Sequence, residues 1–257
     1  MAGLDLQVLA LLAVIGLAGG VGITALGPGG VLVTTGLFAL TALPPTTVAG
    51  TAIVTHIATG LLGSAAYMRS GQLREPVTRR AAVILSGSAV IGTPIGVLIN
   101  SSVSGRGFGI LLGTFVALVG ALVLYRERHS RSQVEPVHPR HSVLLLAGVG
   151  LAVAAASGVF GVGGPMLSVP LLVAIGVPVL PALAAAQAQS VIIASVGTVG
   201  YLVQNAINWP LALLVGVPEL AGVLVGWKLA STVPTRGLKY ALIVALFALA
   251  PYLALRS

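Results

Sequence analysis

The stretch Gly161-Val-Gly-Gly-Pro-Met-Leu-Ser-Val-Pro170 interrupts a long apolar run and decides the fold of this chain. About twenty mainly apolar residues precede it (142–160), and a short apolar piece (165–176) follows. Glycine carries no Cβ and Pro165 has no N–H, so a helix does not continue straight through the stretch. Proline suits the first turn of a new helix. The stretch therefore predicts a helix, a break and a second, short helix.

The same pattern occurs once more, at Gly27-Pro-Gly-Gly30. A constant offset of 134 positions superposes Gly29-Gly30 on Gly163-Gly164 and holds without a gap for the next forty or so residues. The identical positions are mostly Gly and Pro, for example Pro44 with Pro178, and such residues set backbone geometry. We infer an internal duplication in which each half carries one broken helix.

The composition is that of a membrane protein. Of 257 residues, 57% are hydrophobic and only 7% are charged, whereas soluble domains are about a quarter charged. Apolar runs of about twenty residues, long enough to cross a hydrocarbon core of about 30 Å, recur along the chain. The predicted fold class is an all-α polytopic integral membrane protein. Its predicted apolar segments are 4–26, 31–43, 46–68, 81–100, 107–125, 142–160, 165–175, 179–203, 210–230 and 238–255.

The positions of Arg and Lys predict the orientation. The 69–80 loop and the 126–141 linker are basic, whereas the 204–209 turn has no basic residue. With the basic segments in the cytoplasm, equivalent loops of the two halves face opposite sides. Residues 1–125 and 142–257 then form two inverted-topology repeats, each with its glycine break near the membrane midplane. The linker 126–141 is expected in the cytoplasm and both termini outside the cell membrane.

The residues carry a family resemblance. Gly161-Val-Gly-Gly-Pro-Met-Leu-Ser-Val-Pro-Leu-Leu172, Gly176-Val-Pro178 and Ser195-Val-Gly-Thr-Val-Gly-Tyr201 follow in an order that resembles the sulfite exporter TauE/SafE family of membrane transporters. The likeness covers nearly the whole chain once the echo in the first half is included. It implies transport, most simply export, of small sulfur-containing or organic anions such as sulfite or sulfonates. It does not fix which anion.

The two breaks are the first candidate anion site. A helix that begins inside a membrane leaves unsatisfied N–H groups at its N-terminus, and its dipole adds positive potential there. Such an end binds anions without a cationic side chain. The repeat would bring Gly29 and Gly30 towards Gly163 and Gly164. The alternative is that these glycines only allow close helix packing.

Polar side chains within the apolar segments are the second candidate. Thr51, Thr55 and Thr59 share one face of a helix, with His56 beside it. In the repeat-equivalent helix lie Gln187, Gln189 and Ser190, and Ser190 aligns with His56. Amides and hydroxyls donate hydrogen bonds to the oxygens of an oxyanion. We therefore expect Thr51, Thr55, His56, Gln187, Gln189 and Ser190 to bind substrate, although bonding between helices is an alternative.

Glu219 is the only acidic residue well inside an apolar segment. Intramembrane carboxylates are often proton carriers, so Glu219, together with His56, is a candidate for proton coupling. Pairing with Lys228 or a place near the interface are the alternatives.

Other functions have weaker support in the sequence. An intramembrane serine protease could use Ser157 with His56 as nucleophile and base, but the flanking residues lack a full nucleophile motif. A membrane scaffold without transport would not explain the paired breaks.

Nucleic-acid binding is excluded, because most of the arginines that give the chain its net charge of +8 lie in short loops. The chain has no cysteine, and the spacing of His129, His138 and His141 does not match that of the ligands in a structural metal site. We therefore expect no metal and no cofactor. The expected partners are a small anion and bilayer lipid, with the oligomeric state left open.

Overall fold

A computed structural model describes residues 4–25, 27–129, 143–232 and 236–255. These residues are almost entirely helical, and no strand occurs among them. The helices are α1 (Leu6–Ala25), α2 (Val31–Leu40), α3 (Pro45–Arg69), α4 (Pro76–Ser101), α5 (Gly105–His129), α6 (Val143–Phe160), α7 (Pro165–Ala174), α8 (Val179–Val203), α9 (Trp209–Thr232) and α10 (Arg236–Leu255). Most of the linker, and with it His138 and His141, lies outside the described residues.

Seven of the described helices are long and apolar enough to cross a membrane: α1, α3, α4, α5, α6, α8 and α9. The helices α2 and α7, which follow the two breaks, have ten residues each. At 1.5 Å per residue such a helix is about 15 Å long, half the thickness of the hydrocarbon core. The all-α polytopic membrane class is confirmed.

Proline sets the starts of several helices. Pro45, Pro76 and Pro165 each occupy the first turn of a helix, where the missing N–H costs no hydrogen bond. Because α4 begins at Pro76, Arg79 and Arg80 belong to its first turns, not to the preceding loop as expected. The first turns of a helix can lie in the polar layer of a membrane, so the arginines need not enter the apolar core.

Glycines bring the two halves into close contact. A methyl group built on Gly20 of α1 would lie 1.9 Å from the Glu219 carbonyl oxygen of α9. One built on Gly96 of α4 would lie 2.0 Å from the Ala155 carbonyl oxygen of α6. The first helix of each half therefore packs backbone to backbone on the third long helix of the other half. The same arrangement occurs twice, as expected for a duplicated chain.

The central helices α3 and α8 cross in opposite directions. Gly63 packs on Gln187, and Gly197 packs on Ile53. The offset of 134 converts the first pair into the second, so the two contacts are repeat-equivalent. An inverted repeat requires equivalent helices that run antiparallel, and the inverted repeat stays a prediction. The orientation of each half in a bilayer stays a prediction.

Candidate anion-binding site

A small cavity of about 10 Å³ lies between the two breaks, with room for about one water molecule. Five of the residues predicted to bind substrate line it: Gly30, His56, Gly163, Gln187 and Ser190. They come from both halves of the chain. No Lys or Arg is among its lining residues in the part of the chain that the structure describes.

Glycine is required where each break turns. Gly27 has φ 102° and Gly161 has φ 68°, a left-handed backbone that residues with a Cβ adopt at a cost. Gly161 also lies against α3, since a methyl group built on it would be 2.2 Å from the Ala49 carbonyl oxygen. The hydroxyl of Thr34 in α2 donates a hydrogen bond of 3.4 Å to the Gly161 carbonyl. The short helix of the first half thus contacts the break of the second.

The His56 ring lies beside the glycines of both breaks. A methyl group built on Gly30 would lie 3.0 Å from His56 Cε1 and 3.2 Å from Nε2. One built on Gly163 would lie 3.7 Å from His56 Cγ. Without side chains at these two positions, the backbone of each break reaches the imidazole.

His56 and Glu219 form a close contact in the protein interior. Its Nδ1 lies 3.1 Å from Glu219 Oε1, and the side chains are 1% and 0% exposed. On the other edge of the ring, Nε2 has no hydrogen-bond partner among the described residues. It is a buried polar atom of a residue that lines the cavity.

Helix α8 adds two polar groups. Ser190 accepts a hydrogen bond of 3.3 Å from the Gly164 N–H, at the start of α7. It thereby satisfies one of the N–H groups that a helix N-terminus leaves free. Gln187 lines the cavity, and its amide packs on Gly63 of α3.

Two of the expected substrate ligands face elsewhere. A methyl group built on Gly29 would lie 2.3 Å from the Gly19 carbonyl oxygen, so Gly29 is packed against α1. Gln189 accepts a hydrogen bond from the Ser168 hydroxyl and donates one of 3.2 Å to the Gly150 carbonyl. These contacts are those of close packing and of bonding between helices.

Thr51 and Thr55 also lie away from the cavity lining. Thr51 accepts a hydrogen bond of 3.0 Å from the Asn208 N–H, in the turn before α9. Thr55 donates one of 2.8 Å to the Ala52 carbonyl within its own helix. The third hydroxyl of that face, Thr59, is the one that lines the cavity.

The remaining lining residues were not predicted as ligands: Ile23, Gly27, Thr59, Pro165 and Met166. Three of these positions could have been predicted from the sequence, because Gly27 and Pro165 belong to the two breaks and Thr59 shares a helix face with Thr51 and Thr55. Ile23 and Met166 are apolar residues in apolar helices, and no sequence signal separates them from packing residues.

The serine of the protease alternative does not join this site. Ser157 is 1% exposed, and its Oγ has no hydrogen-bond partner in the described parts of the chain. His56 instead contacts Glu219 through Nδ1 and lines the cavity with Gly30, Gly163 and Ser190. Among the same residues, no group of three His, Asp or Glu side chains is placed to hold a metal ion.

The chain matches known proteins along most of its length. A family model described as sulfite exporter TauE/SafE matches residues 12–253. A probable membrane transporter protein of Xylella fastidiosa (strain Temecula1) is 29% identical over 159 residues, which is 59% of this chain and 59% of that protein. The probable membrane transporter protein YdhB of Bacillus subtilis (strain 168) is 23% identical over 202 residues, 78% of this chain and 81% of that protein. No solved structure matches. This chain belongs to the sulfite exporter TauE/SafE family of membrane transporters.

Proposed function

We propose that this protein is a secondary transporter that exports small sulfur-containing or organic anions, such as sulfite or sulfonates. The observation that carries the proposal is the cavity lined by both breaks, Gly30 on one side and Gly163 on the other. Irregular backbone at membrane depth is normally confined to such cavities.

The groups around the cavity suit an anion. The N-termini of α2 and α7 supply N–H groups and positive dipole ends. Gln187 and Ser190 add neutral donors, and protonated His56 adds an N–H with positive charge. The Thr59 hydroxyl donates to the His56 carbonyl and leaves only its lone pairs to the cavity. Neutral donors replace the hydration of an anion only in part, which suits a protein that must also release it.

Alternating access would expose this cavity first to one side of the membrane and then to the other. In the proposed organisation, residues 1–125 and 142–257 are inverted repeats that move relative to each other around the cavity. The linker 126–141 lies in the cytoplasm, both termini lie outside, and the protein is in the cell membrane. His56 and Glu219 carry a coupled proton.

Flux measurements in liposomes test the proposal. Purified protein is reconstituted, and uptake of labelled sulfite, sulfoacetate, sulfate and simple carboxylates is compared with uptake by protein-free liposomes. We expect saturable, protein-dependent flux for sulfite or a sulfonate, with competition between substrates. Absence of flux for every one of these anions would contradict the proposed function.

A further inference from the structure

A groove of about 480 Å³ lies between the first turns of α4 and the start of α6. It shares no lining residue with the cavity between the two breaks. Its size falls in the range of about 300–1,000 Å³ that is typical of ligand sites. The lining residues are Pro76, Arg79, Arg80, Val83, Ile84 and Val143. The groove is therefore a second candidate site, separate from the one proposed for the transported anion.

The helices α4 and α6 lie side by side and run in the same direction. A methyl group built on Gly150 would lie 3.1 Å from Leu85 Cα, and one built on Gly96 would lie 2.0 Å from the Ala155 carbonyl oxygen. Later residues of α4 thus pack on later residues of α6, so both helices begin at the same end of the bundle. A helix N-terminus carries a partial positive charge. Two positive helix ends therefore flank the groove.

Two arginines add full positive charges at this end. Arg79 and Arg80 are exposed, and neither forms a salt bridge with an acidic side chain in the described part of the chain. A cation close to a helix N-terminus is repelled by the helix dipole. The groove therefore concentrates positive charge that the described residues do not compensate, and a bound anion would compensate it.

Beyond the arginines the groove becomes apolar. Twenty residues without a charge follow them (81–100), and at 1.5 Å per residue this run matches the hydrocarbon core of about 30 Å. The arginines therefore lie at the level of the lipid headgroups, and Val83 and Ile84 lie one turn deeper. Gly87 follows on the same face of α4, and a methyl group built on it would meet no atom within 4 Å. The surface below the charges is thus apolar and open.

We propose that the groove binds an anionic phospholipid, with the phosphate at Arg79 and Arg80 and an acyl chain along Val83 and Ile84. A guanidinium group pairs with phosphate oxygens through two parallel hydrogen bonds, and basic pockets between membrane helices bind anionic headgroups. The apolar part of the groove favours a lipid over a free phosphate. The linker 126–141 carries four arginines and two glutamates, so its charge does not complement the groove.

Native mass spectrometry of the full chain in neutral detergent tests the proposal. The protein is titrated with phosphatidylglycerol, or with phosphatidylcholine that has the same acyl chains, and the Kd of each lipid is measured. We expect phosphatidylglycerol to bind at least about tenfold more tightly, since each arginine near a membrane surface contributes about fivefold. Equal affinity for the two lipids would overturn the proposal. Glycerol phosphate in large molar excess should not displace the lipid, and displacement would indicate a site for free phosphate instead.

A double variant and its matched control locate the site. Replacing Arg79 and Arg80 by Gln removes both charges of the groove, so we expect the preference for phosphatidylglycerol to fall to within about twofold. Replacing Arg69 and Arg74 by Gln removes two exposed arginines outside the groove and should keep the wild-type preference. A preference retained in the first variant, or lost equally in both, would overturn the groove as the site. The result does not depend on which anion the protein transports, so the proposed function is tested separately by flux.

Discussion

Two glutamines on one helix offer a matched test of how the anion is held. Gln187 lines the cavity, whereas Gln189 is engaged by Ser168 and Gly150. Replacement by Leu removes the same amide in both cases with little change in volume. The sequence predicts similar roles for the two residues, but the structure predicts opposite effects.

We expect Gln187→Leu to weaken anion binding by about 1–3 kcal/mol, the cost of leaving one charged oxygen without a hydrogen bond. This corresponds to roughly 5- to 150-fold in Kd. Gln189→Leu should leave Kd within about twofold of the wild type, which is less than 0.5 kcal/mol. It should instead lower the thermal stability, because it removes two bonds between helices worth about 0.6 kcal/mol each.

Isothermal titration calorimetry in detergent gives Kd, and thermal unfolding monitored by circular dichroism gives stability. The anion is the one that shows flux in liposomes. Unchanged affinity in Gln187→Leu, or an equal loss in a folded Gln189→Leu protein, would refute the assignment of the cavity face of α8.

Three further predictions concern packing and topology. Gly20→Ala should lower stability in the same thermal unfolding assay by about 1–3 kcal/mol, since the new methyl group meets the Glu219 carbonyl. The control Gly148→Ala places its methyl group more than 4 Å from any other atom, so it should be neutral or stabilising by up to about 1 kcal/mol. Tyr201→Phe should cost about 1 kcal/mol in that assay, because the Gly158 carbonyl loses the 2.6 Å hydrogen bond from the Tyr201 hydroxyl, and an unchanged melting temperature would contradict this. A single cysteine at Ser132 should react with impermeant maleimide only from the cytoplasm, and one at Gln204 only from outside. Labelling of both from the same side would contradict the inverted arrangement. Gln204 is preferred to Asn205, because the φ of Asn205 is 52°.

Much of the fold could be predicted because Gly and Pro act locally. The breaks at Gly161 and Gly27 and the helix start at Pro165 follow from backbone geometry, without knowledge of packing. The offset between the halves then indicated that the two breaks belong together. The start of α4 was misplaced, since an apolar run marks the membrane core and not the helix end, which Pro76 sets.

The site was harder to predict because side-chain direction depends on tertiary packing. Gln187 and Gln189 have the same polar side chain, so composition does not distinguish them. They are two positions apart and therefore point to different sides of α8. Thr51 lies about 12 Å along α3 from Thr59, too far for a small cavity to include both. The contact of His56 with Glu219 joins residues distant in sequence, and only the packing of α3 on α9 brings them together.

The central claim is that the space between the two breaks holds the anion, and the initial rate of anion uptake by Gly163→Ala liposomes tests it most directly. A methyl group at Gly163 would lie 3.0 Å from Ser190 Oγ and 3.7 Å from His56 Cγ, so it projects into the cavity without meeting backbone at close range. We predict a folded protein whose uptake rate is at least about tenfold below the wild type, a loss of about 1.4 kcal/mol or more, while Gly148→Ala liposomes keep the wild-type rate. Wild-type uptake by Gly163→Ala would contradict the claim and leave the glycines a role in packing alone.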